Sequence, residues 1–359
     1  MKEGEHVRYP KMDRMWRIAS KEDLERIDAA AYYILSEMGV HIDDKDCIEY
    51  LKDAPVEINE KELIVKFPEY WVREMIAKAP KSYRLGARDP KNDLIVRSYH
   101  DSFFNLFTSG STKMYIWNEQ TNQWDSKTPG EEDVIRGFRM IDAIDAYDGF
   151  FGTPVEDVKR THQGLPAELH TTYNKMKYST KHGGPCAITE GGLKEWDYVG
   201  KLAAEVQGGF DELKKRPIIA GLPTTIGPLT STRQNFWAAV GSAKYHLPTY
   251  PYWGGTAPFT APATAPARAA LALACTHYCV AVSQYLDPGI PAIPWPQPTD
   301  VDPQSGQLAT GPLANILLGM GGQVYQDLYG LPIGGCAYCL SGSLDEAGAN
   351  WGMSLLMEA

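Results

Sequence analysis

"PIIAGLPTTIGPLTSTRQNFWAAVGSAKYHLPTYPYWGG" occupies residues 217–255 and decides the fold. It opens on the apolar run PIIAGLP (217–223) and closes on a second, PTYPYWG (248–254). Between them lies TSTRQNFWAAVGSAKY, a helix-like stretch. Strand, helix and strand in this order make one βαβ unit, whose strands run parallel. The second run ends on Tyr250, Pro251, Tyr252 and Trp253, followed by Gly254 and Gly255. Stiff aromatics at a strand end have two readings. One is core packing, since aromatics carry most buried area. The other is a cage for a cation, held against the ring faces.

The same rhythm extends in both directions. Strand-like runs recur at KMYIW (113–117), GFFGTPV (149–155), PCAIT (185–189), PAIPWP (291–296) and LPIGGCAYCL (331–340). Helix-like stretches separate them, including GGLKEWDYVGKLAAEV, APARAALALACTHYCVAVSQY and LANILLGMGGQVYQDLY. Thr128, Pro129 and Glu131 read as a capping box with proline at the first helical position. Successive runs lie about 30 to 45 residues apart, the size of one βα unit. Alternating strands and helices imply a parallel sheet. Seven units in a row fit a TIM barrel better than an open doubly wound sheet. No G-x-G-x-x-G follows a first strand and no Walker loop is present, which removes the dinucleotide and nucleotide readings.

The first hundred residues differ. Ser20 with Asp23 signals a helix start, and Leu24, Ile27, Ala31, Ile34 and Leu35 repeat at helical spacing. Gly39 is its stop. PEYWVREMIAKAP reads as a second helix, flanked by the strands ELIVKF and DLIVRS. The expected fold class is therefore α/β, a TIM (β/α)8-type barrel over residues 105–359 with an α+β cap over 1–104. No eighth strand follows the last helix-like stretch, LDEAGANWGMSLLMEA. Either the N-terminal part supplies it or the sequence stops short of its natural end.

Composition excludes several classes. Hydrophobic content of 43% with 22% charged residues is that of a globular chain. No apolar run reaches transmembrane length and no signal peptide opens the chain, so no membrane is expected and a cytoplasmic location is the default. A net charge of −10 argues against nucleic acid. The six cysteines are too few for a disulfide framework. Cys336 and Cys339 have C-x-x-C spacing but lack a second pair, so no metal site is expected. Cys275 and Cys279 read as small core residues.

In a barrel the site forms where the strands end. That rule selects Glu190, Tyr252, Trp253, Trp295, Gln297, Tyr338, Ser341 and Ser343 as candidate substrate-binding residues. Glu190 suits charge pairing with a cation, or equally the start of the next helix. Tyr252, Trp253 and Trp295 cap adjacent strands and can form a cage. Alternation lets only one of Tyr252 and Trp253 face the axis. No catalytic residue stands out: H-E-x-x-H and Gly-x-Ser-x-Gly are absent, and the eight histidines do not cluster like ligands. His162 and His170 flank one loop and read as surface or half-buried, with a ligand or substrate contact as the alternative.

Several stretches together resemble the trimethylamine methyltransferase family. They are LSEMGVHIDD (35–44), IAKAPKSYRLGARDPKNDL (76–94), MYIWNEQTNQWDSKTPGEEDVIRGFRMIDAIDAYD (114–148) and GGTAPFTAPATAP (254–266). IGPLT (226–230) is similar to the family's Ser-Pro-Leu segment, with Gly227 in place of serine. The resemblance runs over the whole chain. It implies a TIM barrel and methyl transfer from an amine to the cobalt of a separate corrinoid protein. Cobalamin would ride on that partner, with no tightly bound cofactor here, and a homo-oligomer is expected. The trimethylamine enzymes carry pyrrolysine near strand seven. Here CAYCLSGSLDEAG stands in that place, without lysine. That departure implies kinship with glycine betaine methyltransferase and a quaternary amine substrate. Tyr252 or Trp253, with Trp295 and Tyr338, would hold the ammonium. Glu190 would add negative potential, and Gln297, Ser341 and Ser343 would donate to a substrate carboxylate. Trimethylamine as substrate, or binding without catalysis, are the alternatives.

Overall fold

The computed structural model describes residues 17–97, 106–107, 114–145, 147–150, 167–186, 192–296, 299–301, 303–304, 306, 308–309 and 319–334. Its N-terminal elements form as their local chemistry requires. Ser20 Oγ accepts from the Asp23 amide at 3.2 Å and opens the helix Lys21–Tyr33. A π-helical turn, Ile34–Met38, follows. Gly39 ends it at φ 76, where a Cβ would also lie 2.5 Å from the Val65 carbonyl oxygen. Val40–Ile42 then joins a four-stranded sheet. It pairs antiparallel with Ile64–Lys66, which pairs in turn with Glu57–Asn59, and it pairs parallel with Thr230–Ser231. The helix Glu69–Lys78 and the first helix both pack on the long helix Ala265–Leu286. One buried apolar cluster accordingly runs from Leu24, Leu35 and Trp71 into Leu273, Tyr278 and Val280. The long helix has the length and apolarity of a membrane span, yet 89% of its most apolar window is buried inside the protein.

Beyond these elements lies a parallel ladder in sequence order. Leu106–Phe107 pairs with Gly149–Phe150, and Gly149 bridges His182. Pro185–Cys186 pairs with Ala220–Gly221, and Gly221 bridges Thr249. Thr224–Thr225 pairs with Tyr252–Trp253, while Thr249 and Tyr252 bridge Ala292 and Trp295. The Gly334 amide donates to Pro294 O at 2.9 Å, which brings the next segment alongside. The intervening helices, Glu131–Ala143, Ala167–Tyr178, Gly192–Gln207, Arg233–Tyr245, Ala265–Leu286 and Met320–Val324, touch one another in turn. They therefore lie on one face of the ladder. The architecture is α/β, and no closed barrel is formed among the described residues.

The other, inner face is covered at the end where the strands begin. A hairpin of Ser82–Leu85 and Leu94–Arg97 places Leu85 and Val96 against Ala220, Tyr250 and Ile293. It is tied down by Gly86 N donating to Pro217 O at 2.8 Å and by His182 Nδ1, 2.8 Å from Gly86 O. Arg216 donates to both Asp93 oxygens, at 2.7 and 2.8 Å. Burial pushes the Asp93 carboxyl up. Hydrogen bonds from Arg216, the Ala87 amide and Arg84 outweigh that and hold it below the usual carboxylate range.

Two expectations are corrected here. The run at 113–117 is not a strand of the parallel ladder. Met114–Asn118 pairs antiparallel with Gln123–Lys127. Asn118 Oδ1 accepts from the amides of Gln120 and Thr121, and Asn122 sits at φ 53, so the chain reverses within a few residues. A tight turn cannot carry the crossover that parallel pairing needs. The first ladder strand is Leu106–Phe107 instead. The helix expected to start at Pro129 begins at Glu131, where Asp133 Oδ2 accepts from the Gly130 amide at 3.0 Å.

Candidate functional site

Exposure along the inner face changes steadily from strand start to strand end. On one strand Ala220 is buried, Leu222 and Thr224 are half-buried, and Ile226 is 54% exposed. On its neighbour Tyr250 is buried, Tyr252 is half-buried and Gly254 is exposed. The intervening residues Gly221, Pro223, Thr225, Pro251 and Trp253 stay buried, because they face the helices. Exposure thus rises toward the strands' C-terminal ends, away from the hairpin that supplies Leu85 and Val96. Ligands of parallel α/β folds bind at this end of the sheet.

Two rings meet near this end, Tyr252 half-buried and Trp295 buried. Tyr252 pairs directly with Trp295, so their side chains share a face. Their centroids are 5.1 Å apart with planes at 60°, the edge-on arrangement that ring quadrupoles favour. Glycine makes room for Tyr252: a Cβ on Gly254 would lie 2.9 Å from the Tyr252 hydroxyl.

Trp253 is turned the other way, which removes it from the cage. It is fully buried in a cluster of Leu229, Ala257, Ala261, Leu271, Ala272 and Cys275. Gly255 is required there, since a Cβ would come within 2.0 Å of its ring. The structure therefore brings Tyr252 and Trp295 together and separates Trp253 from them. Glu190, Gln297, Tyr338, Ser341 and Ser343 lie outside the described residues, as do Cys336, Cys339 and His162. Cys275 and Cys279 are buried thiols on the long helix, as their spacing implies.

Residues not singled out in the sequence also shape the site. Tyr250, two positions before Tyr252, lies on the same inner face, and its place was readable from that alternation. Arg268, near the start of the long helix, secures the rim. It donates to Pro262 O at 3.1 Å and Ala263 O at 2.9 Å, and it pairs with Asp300. Thr256–Ala257 pairs with Thr299–Val301, which pairs with Leu308–Ala309, so a small three-stranded sheet stands beside the mouth. His170 is buried rather than at the surface, its Nε2 3.1 Å from Glu131 Oε1.

Ring faces and hydroxyls are what the described residues offer here, and burial raises the Tyr250 phenol far above its ordinary value. No group of three or more His, Cys, Asp or Glu residues arranged to hold a metal ion occurs among the described residues.

A family model described as "Trimethylamine methyltransferase (MTTB)" matches residues 2–358. The chain belongs to that family. Trimethylamine methyltransferase MttB of Desulfitobacterium hafniense is 26% identical over 311 residues, covering 84% of this chain and 58% of that protein. Its counterpart from Methanosarcina barkeri is 24% identical over 227 residues, covering 63% and 44%. Glycine betaine methyltransferase of Desulfitobacterium hafniense is 22% identical over 331 residues, covering 88% and 63%. The chain therefore spans about half the length of the curated relatives it matches. The crystal structure of Methanosarcina barkeri monomethylamine methyltransferase (MtmB) superposes with a TM-score of 0.50 at 13% identity. It covers 85% of this chain and 65% of that one, a likeness of fold alone.

Proposed function

We propose that the protein takes a methyl group from a quaternary, betaine-like amine and delivers it to the Co(I) of a partner corrinoid protein. The observation that carries this reading is the edge-on Tyr252–Trp295 pair near the strands' C-terminal ends, with Tyr252 half-buried. Each ring face in reach of a trimethylammonium group contributes about 0.5–2 kcal/mol. The reaction's demands match such a wall. When the C–N bond of a quaternary ammonium breaks, its electron pair stays on nitrogen, which leaves as a neutral tertiary amine. No proton has to be delivered. The pocket has only to hold one methyl in line with the incoming nucleophile and keep water away. The corrinoid is then a second substrate on its own protein, arriving at the mouth beside Ile226 and Phe259, which are 54% and 68% exposed.

In this reading the ladder closes as a TIM-type barrel, with residues 1–104 as its cap. Its consecutive parallel order and its helices on one face support that closure. Trimethylamine is the second reading, favoured by the higher identity to the enzyme named for it. The test offers the protein reduced Co(I) cobalamin with glycine betaine, carnitine, proline betaine, choline and trimethylamine, and follows the cobalt absorbance. Turnover with a quaternary amine is expected. Turnover with trimethylamine alone selects the second reading, and binding without turnover leaves a non-catalytic binding protein.

A further inference from the structure

A cavity of about 10 Å³ lies where four elements meet. Thr224 belongs to the ladder strand paired with Tyr252–Trp253, and Ser231 to the strand that joins Val40–Ile42. Asn235 comes from the helix Arg233–Tyr245, and Tyr278 and Val282 come from the long helix Ala265–Leu286. The space is close to the smallest that admits one water, about 10–15 Å³, and far too small for an organic ligand. Thr224 and Asn235 are half-buried, which gives water a way in. Thr224, Ser231, Asn235 and Tyr278 carry polar side chains, whereas cavities that stay dry are apolar.

Tyr278 adds a second, independent observation. It is 2% exposed, and its hydroxyl has no hydrogen-bond partner among the described residues. Its ring is fixed edge-on against Phe67, with centroids 5.3 Å apart. Burial raises the phenol well above its ordinary value, while the Ser231 side chain pulls the other way. Ser231 lines the cavity, so the hydroxyl end of Tyr278 borders it. A buried donor left unpaired is costly, and one bridging water removes that cost nearly as well as a direct bond. We infer that the cavity is a binding site for a single water molecule, which accepts a hydrogen bond from the Tyr278 hydroxyl and donates to the Ser231 side chain. The water thereby ties the long helix to the strand Thr230–Ser231, and through it to the N-terminal sheet. The site is independent of the reaction proposed above.

A high-resolution crystal structure should show one ordered water in the cavity, within hydrogen-bond distance of Tyr278 Oη. An empty cavity, or a direct bond from Tyr278 to Ser231, overturns the inference. Denaturant unfolding gives a second readout. Tyr278→Phe keeps the ring and removes the donor, so the folded-to-unfolded ratio should fall about two- to tenfold. A hydroxyl unpaired in a dry cavity would be lost at no cost, so a ratio that holds or rises overturns the water. Val282→Ile adds one methylene to the cavity wall. It should lower the ratio in the otherwise unchanged protein, because it expels the water, and lower it less beside Tyr278→Phe, where no donor is stranded. Equal effects in both backgrounds mean that the added carbon meets empty space, and again overturn the water. The crystal structure needs no substitution, so it decides the question even where a variant fails to fold.

Discussion

Two aromatic clusters in this protein use the same residue types to opposite ends. In one, the half-buried Tyr252 and the buried Trp295 meet edge-on near the strands' C-terminal ends. In the other, Tyr32, Tyr325, Tyr329 and His277 close around the carboxylate of Asp28. There His277 Nε2 lies 2.9 Å from Asp28 Oδ1, and its Nδ1 lies 2.7 Å from the Tyr325 hydroxyl. Tyr329 donates to both Asp28 oxygens, at 2.8 and 2.6 Å, and Tyr325 donates to Thr276 Oγ1 at 3.0 Å. Arg73 covers the Tyr32 ring at 4.1 Å and reaches Asp28 at 3.4 Å. This second cluster joins the first helix, the long helix and the turn Tyr325–Tyr329. Its polar atoms are consumed by one another, so it holds elements together. Among the described residues the Tyr252–Trp295 pair has no buried carboxylate between its rings, and Tyr252 is only half-buried. What separates the two clusters is the buried charge at the centre of one, not composition.

The comparison can be broken at either cluster. The largest effect is expected from Asp28→Ala, which leaves His277 and Tyr329 buried around a missing charge. It should cost about 3–5 kcal/mol in chemical denaturation. Burial pushes the Asp28 carboxyl up, but hydrogen bonding and charge from His277, with Tyr329 and Arg73, pull it below its ordinary value. A carboxyl lowered by folding stabilises above its unfolded value, near 3.9, and that stability fades as pH falls through the lower folded value. The melting temperature should therefore drop on acidification below about pH 4, and less steeply in Asp28→Ala. An equal slope in both proteins would remove Asp28 from the clasp.

Trp253→Ala should cost a similar amount, about 3–5 kcal/mol, because a fully buried indole leaves a cavity. Its neighbour Tyr252 provides the contrast. Tyr252→Leu should change stability by less than about 1 kcal/mol, being half-buried. It should weaken a quaternary ammonium ligand roughly tenfold in a titration. If Trp253→Ala loses the ligand while staying folded, the division between the two faces of that strand is wrong. Between these extremes, Tyr329→Phe removes one hydroxyl from a carboxylate and should cost about 1.5–3 kcal/mol. A ligand affinity unchanged in Tyr329→Phe would sharpen the separation of clasp from wall.

Acid also acts through His182. Its imidazole is fully buried, and that burial lowers it to about 4. A histidine lowered by folding binds fewer protons folded than unfolded, so its stability is complete above about pH 6.5 and is lost as pH falls toward 4. Unfolding followed between pH 7 and 4 should show a loss of about 3 kcal/mol that His182→Gln reduces. A flat profile would mean the imidazole is not held neutral.

Much of this was legible from residues alone. Ser20 and Gly39 mark the first helix and its exit because capping and positive φ are local demands. The strands Ile64–Lys66 and Leu94–Arg97 and the helix Glu69–Lys78 fall inside the runs that predict them. The parallel order of the ladder follows from alternation of strand and helix. The run at 113–117 misled because an apolar strand in an antiparallel hairpin has the same local pattern as one in a parallel sheet. The turn after Asn118, not the run itself, holds the distinction.

By itself the sequence determined the α/β class and the parallel order of the ladder from Gly149 onward, since both rest on the alternation of strand and helix along the chain, and its resemblances pointed to the family. It also placed Tyr252 and Trp295 at adjacent strand ends. Only the tertiary structure decided which of Tyr252 and Trp253 faces the opening, because register and helix packing choose the face. Only it paired Asp28 with His277 across 249 residues, and only it left the Tyr250 hydroxyl buried without a partner among the described residues. Such features depend on atoms that meet through folding, and no local pattern records that meeting.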